Sequence, residues 1–131
     1  MRAAAACLVG CHDFASFGSG NAEAQEKSAV CTIMRFDADA VTLTARVSEI
    51  TFTVTGDRFV HNQVRNMVGF ITAISTGRIA GGIESVRELL KACDYRARPA
   101  QVMAPGYGLV LWAVHLQPGV LTVAGTMLEV L

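Results

Sequence analysis

The chain has 131 residues, 52% of them hydrophobic and 17% charged, which is enough to bury the core of one domain or of part of one. Lysine plus arginine equals aspartate plus glutamate, at 11 each, and this balance argues against a free-standing nucleic-acid-binding protein, which usually carries a basic excess. No apolar run approaches the roughly 18 residues that a membrane span needs. The mean hydropathy of +0.40 therefore indicates apolar surface that a partner covers.

The N-terminal segment Met1–Val9 is rich in alanine and has no convincing signal-peptide cleavage site, so it is predicted to form a helix that Gly10 ends. The polar stretch Gly18–Ser28 is predicted to be an exposed loop. The four cysteines have no CxxC spacing and lie among apolar residues. This favours reduced core thiols in an intracellular protein, without distinguishing cytoplasm, nucleus and mitochondrion. The alternative, a metal site, needs the i,i+4 pair Cys7 and Cys11 to lie on one helix.

Three segments are predicted to form an antiparallel meander with one buried face, because apolar and polar residues alternate along the second and third. These segments are Ala29–Phe36, Val41–Val47 and Ile50–Thr55. Asp37-Ala38-Asp39 is predicted to turn the chain between the first two. A last strand is predicted over Gly108–Leu116.

Two helices are predicted after the meander. The first runs from Val60 to about Ser75, because apolar residues recur along one side at helical spacing, and Gly77 ends it. The second helix covers about Ile83–Cys93. Pattern alone therefore predicts an α+β fold, an antiparallel sheet with helices packed on one face. The apolar stripe of the first helix consists of Val60, Val64, Met67, Val68, Ile71 and Ile74.

Arg65 lies beside this stripe, with His61 one turn before it and Gly69 one turn after it. A guanidinium keeps its proton and is costly to bury without an anion, so Arg65 predicts a carboxylate or a phosphate close by. The helix offers no obvious carboxylate, so the anion is expected from elsewhere. The alternative is an arginine on the helix surface that pairs with a nearby carboxylate.

Three blocks of the chain, in order, resemble blocks of one family. Leu8–Phe17 is similar to its L-[IV]-G-x-H-D-F-x-x-F segment, Phe59–Gly69 to its F-L-x-x-M-V-R-N-x-V-G segment, and Ala104–Leu111 to its closing A-P-x-x-G-L-x-L strand. A weaker fourth block, Lys27–Ile33, is near a K-S-P-V-R-T-I pattern. The family is that of the tRNA pseudouridine synthases that modify the anticodon arm, of the bacterial tRNA pseudouridine synthase A type.

The resemblance implies an enzyme that isomerises uridine to pseudouridine in tRNA, replacing an N–C glycosidic bond by a C–C bond, with no metal and no organic cofactor. In this family an aspartate acts at the flipped uridine, a tyrosine stacks on the base, and an arginine pairs with the aspartate. Neither the R-T-D-[AK]-G-V-H-A type motif of the aspartate nor the Y-R-Y type strand of the tyrosine occurs in this chain. Residues 1–131 are therefore expected to be the C-terminal domain of such an enzyme, with 117–131 as a C-terminal extension, and to be inactive alone.

By resemblance, Arg65 matches the arginine that pairs with the aspartate, and Leu109 matches an aliphatic residue that packs at the target base. The implied partners are tRNA and the missing N-terminal domain, and no membrane partner is expected. An exposed sheet edge and high hydrophobicity also favour a homodimer. Solvated loop charges are the alternative for two of the further candidates, Arg96 and Arg98. The residues predicted to contact RNA are Arg58, His61, Asn62, Arg96 and Arg98.

Two residues depart from the family's pattern, since Gln63 replaces the usual methionine and Cys31 replaces an arginine that is often present. The first departure affects the packing of the helix, and the second removes a salt bridge. The competing interpretation of the whole chain is a non-catalytic α+β module that keeps the fold and binds RNA or another partner.

Overall fold

A computed structural model describes residues 1–19 and 28–115 of the chain. The predicted α+β class is confirmed, because an antiparallel sheet packs against helices. None of the described helices is long and apolar enough to cross a membrane. Most of the predicted loop over 18–28 and the whole C-terminal extension over 117–131 lie outside the described residues. The helices and strands are α1 (Arg2–Ala6), β1 (Gly10–Asp13), β2 (Val30–Thr44), β3 (Val47–Gly56), α2 (Gln63–Ser75) and α3 (Gly82–Ala92), with 3-10 turns at Ala15–Phe17, Tyr95–Ala97 and Gly106–Gly108.

The sheet formed by the described strands has the order β1-β2-β3, and both neighbouring pairs are antiparallel. β2 runs straight through Asp37-Ala38-Asp39, so the turn predicted there is wrong. Ala38 is buried, whereas the two aspartates alternate to the opposite face, where they form ion pairs with Arg35 and Arg2. The aspartates therefore mark the outer face of one continuous strand.

The chain turns instead at Ala45 and Arg46, which connect Thr44 at the end of β2 to Val47 at the start of β3. The strand predicted over Val41–Val47 crosses this turn and is wrong. The two-residue connection joins β2 and β3 into one long hairpin.

β1 completes the sheet by pairing with the start of β2. The sequence patterns did not predict this strand. The N-terminal helix predicted over Met1–Val9 is shorter in the structure, since α1 ends at Ala6. Gly10, with a φ of 117°, begins the strand. Cys11 consequently lies on β1, and the metal alternative that placed Cys7 and Cys11 on one helix is wrong.

The strand predicted over Gly108–Leu116 is not formed in the described residues, which end at His115. Leu109 has extended backbone, with φ −94° and ψ 126°, and residues 111–115 are exposed. An extended segment becomes a strand only when a neighbouring strand completes its hydrogen bonds, and none of the described strands pairs with it. The sequence therefore predicted the extended backbone of Leu109 but not the missing partner.

The core lies between the base of the sheet and the helices. Phe14 and Phe17 are fully buried, and the ring of Phe17 packs edge-on against Phe70 of α2, with the two centroids 6.2 Å apart. The outer half of the hairpin, residues 41–50, lies beyond this core with exposed side chains on both faces. The single buried face that the alternation predicts is therefore restricted to the base of the hairpin.

The buried side of α2 is centred on Met67, Phe70 and Ile71. The predicted stripe is thus confirmed, because Met67 and Ile71 are buried and its other members are partly buried against the core. Phe70, which the stripe did not include, also faces the core. α3 begins and ends within one residue of the predicted Ile83–Cys93. Helical spacing predicted both helices because each buries one long side against the same core.

Two polar side chains of α2, Gln63 and Asn66, are also buried. Gln63 Oε1 accepts hydrogen bonds from the backbone N of Val60 at 2.8 Å and from Sγ of Cys31 at 3.4 Å. Asn66 Nδ2 donates to the carbonyl of Phe17 at 2.7 Å. Of the four cysteines only Cys31 is buried, and burial raises the pKa of its thiol. Cys7 is half-buried and packs against the core, whereas Cys11 and Cys93 are exposed. The prediction of core thiols is therefore correct for Cys31, correct in part for Cys7, and wrong for the other two.

Asp57 joins the end of β3 to β2, and this contact generates a pH prediction. Its carboxylate accepts hydrogen bonds from the backbone N of Thr32 at 2.9 Å and of Arg58 at 2.7 Å. These bonds, that of Thr32 foremost, hold the pKa of Asp57 below its ordinary value of 3.8. The ionised carboxylate therefore stabilises the fold fully above about pH 4, and this stabilisation is lost as the pH falls through the lowered pKa.

Asp57→Asn is accordingly expected to unfold at lower urea concentration than the wild type near neutral pH, with the difference shrinking as the solution is made acidic. Glu49→Gln, an exposed carboxylate on the hairpin, is the matched control and should show no comparable trend. A difference between Asp57→Asn and the wild type that stays constant from neutral pH to about pH 2 would contradict the assignment.

Candidate active-site arginine and its surroundings

Arg65 is the third residue of α2, at the end of the helix where the backbone N–H groups and the helix dipole present positive charge. The first turn of α2 contains no acidic residue. A cation at this end of a helix is locally unfavourable, because its charge has the same sign as the helix terminus. Both features make the surroundings of Arg65 attractive to an anion.

The guanidinium of Arg65 is half-buried and is held by neutral acceptors. Its Nε donates to the carbonyl of Ala104 at 2.9 Å, and its Nη1 donates to Oδ1 of Asn62 at 3.2 Å. The ion pairs among the described residues use Arg2, Arg35 and Arg87 instead. The charge of Arg65 is therefore oriented, but no carboxylate in the described part of the chain neutralises it.

The acceptor at Ala104 belongs to a segment, residues 102–106, that lies directly against α2. The backbone N of Ala104 donates to the carbonyl of Arg65 at 3.0 Å, so Arg65 and Ala104 are joined through both backbone and side chain. A Cβ at Gly69 would lie 1.7 Å from the carbonyl oxygen of Val102. A Cβ at Gly106 would lie 3.5 Å from Cζ of Arg65. Glycine at 69 is thus what lets the segment reach the arginine.

Asn62 precedes α2 with a φ of 63°, in the left-handed region that asparagine tolerates better than most residues. The helix predicted from Val60 therefore begins only at Gln63, because the chain turns at residues 61–62. Asparagine at this position usually accepts a hydrogen bond from the first turn of the helix, which is worth about 1 kcal/mol. Asn62 makes no such bond, and its side chain contacts Arg65 instead.

His61 is exposed, and it contacts the amide nitrogen of Asn62, whose amide oxygen contacts Arg65. Nδ2 of Asn62 is 3.5 Å from Nδ1 of His61, and Nδ1 also contacts the hydroxyl of Ser19. Ser19, His61, Asn62 and Arg65 thus form one line of polar contacts that ends at the carbonyl of Ala104. The structure brings together three of the sequence-predicted residues here, His61, Asn62 and Arg65.

Arg58 and Arg98 already donate to backbone carbonyls of neighbouring segments. Nη2 of Arg58, an exposed residue, lies 2.6 Å from the carbonyl of Ser28 and also contacts the carbonyl of Val30. Nη1 of Arg98 donates to two carbonyls at the end of the first 3-10 turn, at 2.9 and 3.0 Å. Arg98 is half-buried, and this burial lowers its pKa. Both arginines therefore support the fold, and Arg98 is not a solvated loop charge.

Arg96 is exposed, and its guanidinium lies over the ring of Tyr95, 5.4 Å from the centroid. A hydrogen bond from Arg96 Nε to the Tyr95 hydroxyl at 3.2 Å raises the pKa of Arg96.

Leu109 lies three residues after Gly106, and half of its surface is exposed, at 50%. Leu109 therefore lies just beyond the segment, residues 102–106, that contacts Arg65.

Sequence reasoning missed the acceptor at Ala104 and the close approach at Gly69. Both residues lie inside the blocks Phe59–Gly69 and Ala104–Leu111, so the blocks themselves were the available signal. The two neutral acceptors, the carbonyl of Ala104 and Oδ1 of Asn62, hold the guanidinium of Arg65 in a fixed orientation. Its remaining N–H groups can bind a carboxylate or a phosphate.

Comparison with known proteins supports the family resemblance that these blocks carry. The sequence profile of the tRNA pseudouridine synthase family matches residues 4–116, and the chain belongs to this family. The match includes the end of α1, the whole sheet, α2, α3 and residues 102–109. The family expected from the resemblance is therefore confirmed.

Several curated relatives are tRNA pseudouridine synthase A enzymes from bacteria. The one from Bacillus subtilis (strain 168) is 36% identical over 115 residues, which cover 88% of this chain and 42% of the relative. That from Exiguobacterium sp. is 38% identical over 117 residues, covering 89% of this chain and 43% of the relative. That from Hyphomonas neptunium is 38% identical over 120 residues, covering 91% of this chain and 44% of the relative. The chain thus spans less than half the length of these relatives.

The contact at Gly69 can be tested by adding one methyl group. Gly69→Ala is expected to destabilise the protein by about 3 kcal/mol, because the new Cβ would overlap the carbonyl of Val102 and push residues 102–106 away from α2. The measurement is urea unfolding followed by circular dichroism. Gly108→Ala, where a Cβ meets nothing within 4 Å, is the matched control. Equal stability of Gly69→Ala and the wild type would contradict the tight packing.

Proposed function

We propose that this chain is the C-terminal domain of a tRNA pseudouridine synthase and supplies the arginine of the active site. The observation that carries the proposal is Arg65, an oriented guanidinium whose charge no described carboxylate neutralises. The resemblance to the family, to which the chain belongs, implies that this arginine pairs with the aspartate that acts at the flipped uridine. The aspartate would come from the part of the enzyme that this chain does not match in its relatives, which is more than half of their length.

The proposed reaction is the isomerisation of uridine to pseudouridine in tRNA, without a metal or an organic cofactor. Arg65 would keep the aspartate ionised and oriented, since an opposite charge at close range favours the charged form of a carboxyl group. Leu109 would pack at the target base, and its exposed side chain, three residues beyond the segment that contacts Arg65, supports this role. Neither residue can carry the reaction alone, so the chain by itself is expected to be inactive.

Contact with tRNA is proposed for five residues, and the structure supports them unequally. Arg96 has an exposed guanidinium stacked on an aromatic ring, a geometry that leaves several N–H groups for a phosphate. His61 is exposed beside Arg65. The remaining three make contacts within the protein and would have to contact RNA with their free N–H groups; they are Arg58, Asn62 and Arg98.

A homodimer is also part of the proposal, through the outer half of the β2–β3 hairpin. Val41, Leu43 and Val47 lie near the tip of this hairpin with 58%, 57% and 53% of their surface exposed. β-Branched and aliphatic side chains exposed together on a sheet commonly mark an interaction surface. A second copy of the chain would bury this surface, in agreement with the high mean hydropathy.

Catalysis can be tested with a chimaera that joins the unmatched part of the Bacillus subtilis relative to this chain. Tritium release from tRNA labelled at C5 of uridine is expected from the chimaera and not from the 131-residue chain. Arg65→Ala in the chimaera should lower kcat by roughly 100-fold or more, as removal of one preorganised charge-stabilising donor does. Arg78→Ala, which removes an exposed arginine just beyond α2, is the control and should retain activity.

Two results would count against the proposed function. Activity of the 131 residues alone would contradict the assignment of the aspartate to another part of the enzyme. An inactive but folded chimaera, together with tight tRNA binding by the chain that falls steeply with salt, would instead favour the non-catalytic RNA-binding module.

The homodimer is tested by sedimentation velocity on the 131-residue chain. Leu43→Asp should convert a dimer into a monomer, because it places a charge among the exposed apolar side chains near the tip of the hairpin. Ser75→Asp adds the same charge at the exposed end of α2, outside the hairpin, and should leave the dimer intact. A wild-type chain that sediments as a monomer at all concentrations refutes the proposed dimer.

A further inference from the structure

Asn62 occupies a position where its side chain would ordinarily serve the helix that follows. It precedes α2 in the left-handed conformation, yet it accepts no hydrogen bond from the first turn of that helix. Its Oδ1 lies 3.2 Å from Nη1 of Arg65 instead. Gln63, the next residue along the chain, accepts the hydrogen bond from the backbone N of Val60. The side chain of Asn62 is therefore committed to the arginine.

The chemistry of this acceptor distinguishes it from an ordinary partner of arginine. An amide oxygen orients a guanidinium but carries no charge, whereas an aspartate of nearly the same shape would orient and neutralise it. The amide is also held in one orientation, because Oδ1 faces a donor and Nδ2 faces Nδ1 of His61 at 3.5 Å. The other acceptor of Arg65, the carbonyl of Ala104, is neutral as well.

We propose that Asn62 is a positioning residue that orients Arg65 while leaving its positive charge available to an incoming anion. The bonds to Asn62 and Ala104 use one hydrogen of Nη1 and the hydrogen of Nε. One hydrogen of Nη1 and two of Nη2 then remain, which suits two-point binding of a carboxylate or phosphate group. The inference rests on the proposed function only for the identity of the anion, an aspartate of the same enzyme.

The experiment follows the Nε–H signal of Arg65 by NMR in the 15N-labelled 131-residue chain, titrated with inorganic phosphate at constant ionic strength. The signal is assigned by its loss in Arg65→Lys. In the wild type it should shift and saturate. Asn62→Asp should weaken phosphate binding at least about tenfold, because the new carboxylate neutralises Arg65 in place. Asn62→Gly keeps the left-handed backbone without the acceptor and should weaken it about threefold or more.

Ser75→Asp is the matched control for charge. It adds the same carboxylate at the exposed far end of α2, on the order of 15 Å along the helix from Arg65, and should bind phosphate as the wild type does. Phosphate binding by Asn62→Asp that equals the wild type overturns the proposal. A wild-type Arg65 signal that does not respond to phosphate overturns it too, because the charge would then not be available.

This titration involves neither RNA nor turnover, so it separates the proposal from the proposed function. An inactive chimaera would refute the enzyme and leave the role of Asn62 standing. In an active chimaera, Asn62→Asp should lower kcat by a larger factor than it raises KM for tRNA. An effect confined to KM would assign Asn62 to RNA contact and overturn its role as a positioning residue.

Discussion

One backbone contact underlies both the fold and the candidate site, namely the approach of α2 to residues 102–104 at Gly69. At this distance no side chain fits between helix and segment, so the two backbones fix one another directly. The N–H of Ala104 is satisfied by the carbonyl of Arg65, and the carbonyl of Ala104 is satisfied by the guanidinium of the same residue. The direction of the arginine is therefore set by the main chain, which does not change when surface side chains change.

The surroundings of Arg65 are locally unfavourable in several respects at once. A cation lies at the positive end of a helix, the residue before the helix has a left-handed backbone, and its amide leaves the helix uncapped. Each of these costs stability, and the large aromatic core beside α2 offsets them. Departures from local preference that gather around one charged group are typical of a site that serves binding or chemistry rather than folding.

Much of this organisation could be predicted from sequence, and the failures have physical causes. The helices were predicted because each buries a long side at helical spacing, and Arg65 was identified because it is a charged residue directly beside such a side. Asp37-Ala38-Asp39 resembles a turn by composition, but cross-strand register and two ion pairs keep it within β2. The acceptor for Arg65 could not be predicted from side-chain chemistry, since it is the main-chain carbonyl of a residue 39 positions away.

The contact between Cys31 and Gln63 has a consequence for how this sequence can change. These are the two residues that depart from the family's pattern, and in the structure they share one buried hydrogen bond. A methionine at 63 would leave the buried thiol of Cys31 without its acceptor, and an arginine at 31 would place a charge beside Gln63, whose amide oxygen cannot neutralise it. The substitutions are thus epistatic: each is tolerated in the background of the other, and the route between the two pairs passes through a less stable intermediate.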